Sequence, residues 1–179
     1  MKFLLLNFCL LIAFAGIAQN KLQIETGVGF VILEGVNGIG GSSEILYPLH
    51  KNFSFRLATG YAMSSDKQIS LLEACSYDHH SVFIGDIGLR FNPKLFNKVA
   101  LALNAGGGIR HLQSTQVLVN SNLIVNPTSK ADTGIGFHLG VGLNYFVSSE
   151  IHLGLQYSHD FFHEGHDLFC FKVGFTLFE

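Results

Sequence analysis

Large apolar residues alternate with small or polar residues along most of the chain. The clearest example is GIGFHLGVGLNYFV, residues 134–147, in which every second residue is large and apolar and most of the others are glycine. A repeat of two residues indicates a β-strand with one apolar face and one small or polar face. The segment therefore predicts a strand whose two faces lie in different surroundings.

Seven other segments repeat this alternation. They are residues 22–32, 39–49, 53–63, 81–91, 99–110, 151–158 and 169–177, of which 39–49 and 81–91 alternate least clearly. Together with residues 134–147 they give eight strands, an even number as in the antiparallel barrels of bacterial outer membranes.

The glycine residues indicate which face points outward. In a soluble barrel, such as a lipocalin-like one, the apolar residues would fill the core and polar residues would meet water. Glycine stabilises a solvated strand poorly, but it fits the inner wall of a narrow barrel whose apolar face turns to lipid. We therefore predict an all-β fold, an eight-stranded antiparallel transmembrane β-barrel.

The connections between the predicted strands alternate between short and long. The short ones follow strands two, four and six, at residues 50–52, 92–98 and 148–150. The long ones follow strands three and five and run from Ser65 to His79 and from Gln113 to Ala131. Outer-membrane barrels have short periplasmic turns and longer extracellular loops, so both long segments are expected to face outside.

These two long segments are the predicted places for an extracellular partner. Residues 112–126 keep alternating apolar positions, so this part of the chain either extends two strands above the membrane or folds over the barrel as a loop. An extended hairpin would expose a strand edge that a partner strand can pair with.

Composition agrees with a barrel in a membrane. Hydrophobic residues make up 48% of the chain and charged residues only 13%, whereas soluble domains carry about 25% charged residues. After Ala18 no apolar run is long enough for a membrane-spanning helix. The formal net charge of −2 argues against a nucleic-acid partner.

The N-terminus has the layout of a secretory signal peptide. Met1 and Lys2 give a short basic start, an apolar run follows at residues 3–15, and small residues follow at 16–18. We therefore expect residues 1–18 to be a cleaved signal peptide and residues 19–179 to be a single barrel domain. Export leaves Cys75 and Cys170, and the sequence leaves open whether they form a disulfide.

Three features together resemble a known group: the signal ending IAQ at residues 17–19, the glycine-rich alternating strands, and the terminal KVGFTLF at residues 172–178. The chain resembles the small outer-membrane β-barrel proteins of Gram-negative bacteria, in particular the porin-family-type barrels of Bacteroidota. The resemblance implies an outer-membrane location, contact with outer-membrane lipid and insertion by the barrel-assembly machinery. The last residue is Glu179, where an aromatic residue is usual in that group.

The interior of an eight-stranded barrel is just wide enough for side chains, and charges inside it must pair to offset their desolvation. We predict an interior polar network that plugs the barrel, with a narrow ion path as the alternative. Its members are Glu25, Glu44, Arg56, Asp86, Arg90 and Lys172. Further inward positions are Asn104, Arg110, His138, His152 and Gln156. The expected neighbours are Glu44 with Arg56, Asp86 with Asn104, and Lys172 with Glu25.

The barrel rim offers a weak catalytic candidate. The expected register places His138 opposite Asp160, with Ser158 one inward step away, and these three residue types together can carry acyl-transfer chemistry. A lipid-modifying enzyme is therefore one alternative function. The other interpretation is a structural His–Asp hydrogen bond, since the grouping matches no known motif.

The segment HEGH, residues 163–166, offers a weak metal-binding candidate. It is one residue short of the HExxH zinc signature, which also requires a helix, whereas Gly165 and the flanking strands indicate a turn. A loop could bring His163 and His166 to one ion, or both could be solvated at the loop tip. We expect no cofactor and predict a non-enzymatic barrel with a structural or surface-interaction role.

Overall fold

The computed structural model describes residues 22–69, 74–120, 123–162 and 165–177, and the expected signal peptide lies outside them. The elements are all strands: β1 (Leu22–Leu33), β2 (Val36–His50), β3 (Phe53–Ile69), β4 (Ala74–Phe91), β5 (Lys94–Phe96), β6 (Val99–Asn120), β7 (Leu123–Phe146), β8 (Ile151–Asp160) and β9 (His166–Leu177). In these ranges we find no helix of the length and apolarity that crossing a membrane requires.

Eight of the strands close into a ring. Neighbouring strands pair antiparallel from β1 to β4 and from β6 to β9. Pairing of β4 with β6 and of β9 with β1 completes the circle. The three-residue strand β5 lies in the connection between β4 and β6 and pairs only with β6. The predicted eight-stranded antiparallel barrel is confirmed.

The two faces of the wall differ as the alternation predicts. The outer surface is apolar, with Phe30 and Ile135 each 75% exposed, while the inner surface carries glycine and buried polar side chains. Glycine leaves room for large inward side chains: a Cβ on Gly136 would lie 2.8 Å from Cγ of Arg110. An apolar exterior and a polar interior suit a barrel whose solvent is lipid.

The strands have unequal heights. β6 and β7 contain 22 and 24 residues and β3 and β4 contain 17 and 18, whereas β1, β8 and β9 contain 12 or fewer. β1 turns tightly into β2 through Glu34 and Gly35, both at positive φ, as in two-residue hairpins. We call the end where β3, β4, β6 and β7 extend the tall end, and the opposite end the short-turn end.

The taller strands form a four-stranded wall beyond the rim of the ring. We call this the projecting wall and define it as residues 65–69, 74–79, 113–120 and 123–133. Pairing of β4 with β6 continues up to Ala74 and Asn120. The described parts of the segments 65–79 and 113–131 are therefore mostly paired strands. Of the two alternatives for residues 112–126, the strand extension is confirmed for residues 112–120 and 123–126.

One predicted neighbour is wrong. Asp86 pairs with Gly108, and Arg90 occupies the position opposite Asn104. The prediction assumed that residues 92–98 form a simple turn. Because β5 pairs with the first residues of β6, as in Lys94 with Ala100, the end of β4 meets β6 further along the chain.

The closed ring predicts heat-modifiable migration on a gel. Barrels whose strands all pair resist detergent until boiled, because no strand edge is open along the ring. We expect the detergent-extracted protein to migrate differently before and after boiling. Recovery of the protein only in the soluble fraction, with no shift, would contradict the fold.

Candidate functional site inside the barrel

Eight ionic side chains are buried within the ring. The acids are Glu25, Glu44, Asp86 and Asp160, and the bases are Arg56, Arg90, Arg110 and Lys172. Among the residues that the structure describes, the formal charges of this buried set cancel when histidine is neutral. A balanced set can satisfy all its charges internally, which is the condition for burying them at tolerable cost.

Arg56 lies at the centre of this network. Its Nε donates to Oε2 of Glu44 at 2.8 Å and its Nη2 donates to Oε1 of Glu44 at 2.9 Å. Its Nη1 donates to Oδ2 of Asp86 at 3.0 Å. The two-pronged contact with Glu44 is the geometry that guanidinium groups favour with carboxylates, and it matches the predicted pairing.

Arg90 continues the network toward the short-turn end. Its Nη2 donates to Glu44 at 2.6 Å, its Nε donates to Oδ1 of Asn104 at 2.6 Å, and its Nη1 contacts Glu25. Lys172 contacts Glu44 and lies 3.9 Å from Oε2 of Glu25. The structure thus places Lys172 near Glu25, as the sequence predicts, with Glu44 between Lys172 and both arginines.

Arg110 continues the ionic network toward the tall end. Its Nε donates to Oδ2 of Asp160 at 2.6 Å, and its Nη1 donates to Oδ1 of Asp86 at 3.4 Å. The chain of contacts therefore runs without interruption from Asp160 through Arg110, Asp86 and Arg56 to the group around Glu44.

The predicted pairing of His138 with Asp160 is only partly right. The two residues are opposite each other on β7 and β8. However, Nδ1 of His138 lies 2.5 Å from Oδ2 of Asp86, while Asp160 is bound by Arg110. Arg110 reaches Asp160 because Gly136 between them has no side chain.

Ser158 does not complete a catalytic arrangement. It is half-buried and lines a cavity of about 60 Å³ together with His138 and Asp160. Among the described residues, no hydrogen bond joins Ser158 to His138, whose nitrogens contact Asp86 and Arg56. A nucleophile needs a base within hydrogen-bond reach, and here the histidine is engaged elsewhere.

The structure also corrects the expectation for His166. This residue is 4% exposed and begins β9, opposite Leu33 on β1 and Asp160 on β8. Because strand geometry starts at His166 itself, its side chain points into the barrel and does not lie at an exposed loop tip. His163 lies outside the described residues, and within those residues no group of three metal-binding side chains is found.

An apolar cluster lies inside the barrel near the tall end. Its buried members are Val31, Leu33, Ala62, Val82, Leu112 and Phe162, with Ile84 and Leu168 packed against them. Phe162 comes from the connection after β8, and its ring fits against Gly134, where a Cβ would lie 2.8 Å from Cε2 of Phe162. The cluster separates the ionic network from the projecting wall. The alternation of apolar and polar residues does not predict this cluster.

Cys170 is a free cysteine inside the barrel. It is buried and its Sγ lies 3.9 Å from Oγ of Ser42. The sequence left open a disulfide between Cys75 and Cys170, and in this structure Cys170 is a free thiol.

Comparison with known proteins supports the fold. No family model and no curated protein matches the chain. Among solved structures it is similar to a major outer membrane protein from Thermus thermophilus, with 15% identity, a TM-score of 0.58 and coverage of 89% of this chain and 100% of that one. It is also similar to Ail, the attachment invasion locus protein of Yersinia pestis, with 13% identity, a TM-score of 0.52 and coverage of 88% and 97%. It is similar as well to Neisserial surface protein A, with 11% identity, a TM-score of 0.50 and coverage of 88% of this chain and 96% of that one.

At these identities the likeness shows the architecture alone. With the ring closure and the apolar exterior, it establishes that the chain is an all-β, eight-stranded antiparallel transmembrane β-barrel.

The ionic network predicts a large cost for removing Arg90. Arg90→Met leaves Glu25 and Glu44 short of a buried cation, so we expect unfolding in detergent to become easier by about 3–5 kcal/mol. Lys94→Met, at an exposed position of β5, is the control and should change stability by less than about 0.5 kcal/mol. Equal effects of the two substitutions in urea unfolding would argue against the network.

Proposed function

We propose that the protein is a non-enzymatic outer-membrane barrel of the porin-family type of Bacteroidota, with a surface-interaction role and an interior closed to ions. The observation that carries the proposal is the uneven height of the ring. The short-turn end lies in the periplasm, and the projecting wall stands outside the cell, where it presents two paired hairpins to extracellular partners. Outer-membrane lipid surrounds the apolar exterior, and the barrel-assembly machinery inserts the chain.

Two layers inside the barrel support closure. The ionic network fills the middle of the interior with paired charges, and the apolar cluster lies between it and the tall end. An ion would have to separate paired charges and then pass an apolar constriction, and both steps are unfavourable. These layers disfavour the narrow channel.

The enzyme alternative has less support. The candidate residues Ser158, His138 and Asp160 share a cavity, but Nε2 of His138 is hydrogen-bonded to Arg56 and Asp160 accepts from Arg110. Arginine–carboxylate pairs of this kind are ordinary structural contacts in a low-dielectric interior.

The projecting wall is better suited to a polypeptide than to an anionic polymer. It carries both signs of charge on neighbouring positions, at Asp66 with Lys67 and at Lys130 with Asp132, so it offers no basic patch. Ail has been crystallised with the heparin analogue sucrose octasulfate, but the mixed charge here points to a different kind of partner. The names of two similar proteins, an attachment invasion protein and a surface protein, agree with a surface role.

The closed interior predicts electrically silent membranes. We expect the purified protein in planar bilayers to give no steady conductance of nanosiemens order, because paired charges and the apolar cluster block the path. A general porin in the same bilayer provides the positive control. Steady openings of that size would refute the closed interior.

The surface role predicts that the wall is needed for binding and dispensable for folding. A variant that replaces residues 113–131 with Asn-Gly, between the paired residues Leu112 and Asp132, keeps the ring and removes the upper part of the β6–β7 hairpin. We expect its gel shift to persist while producing cells lose adhesion to glass coated with serum and matrix proteins. The control deletes Ser149 from the short-turn end, and it should leave adhesion unchanged.

Adhesion that survives removal of the wall would contradict the surface role. The surface role would also be contradicted if cells that produce the unchanged protein adhered no better than cells that lack it.

A further inference from the structure

Strand β7 has an open edge along its upper half. On one side it pairs with β6 up to Leu123. On the other side its pairing with β8 begins only at His138, and the last contact there is donated by the Phe161 N–H to the Phe137 carbonyl at 2.7 Å. Within the described parts of the chain, no strand pairs with this side of β7 above Phe137.

The register identifies the groups along this edge. Alternate residues of an antiparallel strand direct N–H and C=O to the same side, and the Phe137 carbonyl points toward β8. Pairing with β6 continues without a shift from His138 to Thr128. The backbone groups of Ser129, Ala131 and Thr133 therefore point to the open side.

Side-chain contacts agree with this assignment. Nδ1 of His111 lies 2.7 Å from Oγ1 of Thr133, and Oγ1 of Thr115 lies 3.2 Å from Oγ of Ser129. Such close side chains are typical of cross-strand pairs that do not exchange backbone hydrogen bonds. The backbone N–H and C=O groups of the odd-numbered β7 residues therefore do not bond to β6.

The edge is accessible and bounded. All residues from Pro127 to Thr133 are exposed, and the three edge residues have small side chains. Pro127 has no N–H and ends the ladder at the top, while the exposed Ile135 begins the apolar surface below. The other open edge of the wall, at residues 65–69 of β3, is shorter.

We propose that the β7 edge at Ser129, Ala131 and Thr133 binds an extended segment of a partner polypeptide as an added antiparallel strand. This inference rests on the proposed function, because the wall must lie outside the membrane. Main-chain hydrogen bonds to the three residues supply the binding, as in other cases of strand addition.

A second copy of the chain in the same membrane cannot pair with this edge through its own β7 edge. β7 runs from the tall end to the short-turn end in every copy, since all copies share one orientation. An antiparallel ladder between two β7 edges would require one copy to be inverted. Among its described residues, a second copy could offer only its β3 edge at residues 65–69, and that pairing would slow exchange of the β7 edge amides without any peptide. The occupant that we propose is a segment of a different polypeptide.

The first test is hydrogen exchange of the protein in detergent, followed by NMR. Without a ligand, the amides of Ser129, Ala131 and Thr133 should exchange faster than those of Lys130, Asp132 and Gly134, which face β6. The probe is a soluble peptide of alternating threonine and valine at about 1 mM, a concentration that reveals weak strand pairing. It should slow exchange at the three edge amides by about tenfold, while the fully N-methylated peptide should have no effect.

Ala131→Pro removes the central edge N–H and leaves the bonds to β6 intact, since proline is tolerated at an edge. We expect about tenfold weaker probe binding, whereas Ala131→Val should bind like the unchanged protein. Both variants should keep the gel shift, so that loss of binding is separated from loss of folding. Absence of protection, equal effects of both peptides, or equal binding by Ala131→Pro would overturn the proposal.

Adhesion separates this inference from the proposed function. If shortening the wall abolishes adhesion and Ala131→Pro does not, the surface role stands and strand addition fails. If shortening the wall has no effect, the surface role fails whatever the peptide does.

Discussion

The structure depends on one constraint: a charge inside a narrow barrel must find an opposite charge there. Removing one partner from such a pair leaves a buried charge without compensation, at a cost of several kcal/mol. Here four acids and four bases meet in one continuous set of contacts from Asp160 to Glu25. Because Glu44 is shared by Arg56, Arg90 and Lys172, the network also joins strands that are not neighbours in the ring.

The glycine-rich inner wall is the counterpart of this network. Long arginine side chains fit into an eight-stranded barrel only where the facing positions are small, as at Gly136 beside Arg110. Because Gly134 has no side chain, Phe162 likewise fits inward against it. The interior and the projecting wall therefore differ: the buried charges of the interior balance, while the upper half of β7 has no strand partner on one side among the described residues. We propose that the backbone of the wall serves recognition, while the paired charges of the interior provide stability.

The alternation of residues along the strands made much of the barrel interior predictable. All eleven positions assigned to the interior from alternation alone are buried, and the pairing of Glu44 with Arg56 followed from a short turn. The register between β4 and β6 was not predictable, because three residues inside an apparent turn pair as β5. The apolar cluster could not be predicted from alternation. Val31, Ile32 and Leu33 are all apolar, so residue type does not mark the inner face there. The partner of His138 depends on how far the Arg110 side chain extends toward Asp160, and alternation along a strand does not predict that distance.

The most direct measurement is a double-mutant cycle between Glu44 and Arg56, using Glu44→Gln, Arg56→Met and the double variant in reversible unfolding. If paired charges hold the interior, the two substitutions are strongly coupled, with an interaction free energy of about 2 kcal/mol or more. The double variant then loses much less stability than the sum of the two single variants. Additive losses, with a coupling free energy near zero, would contradict the central role of the network.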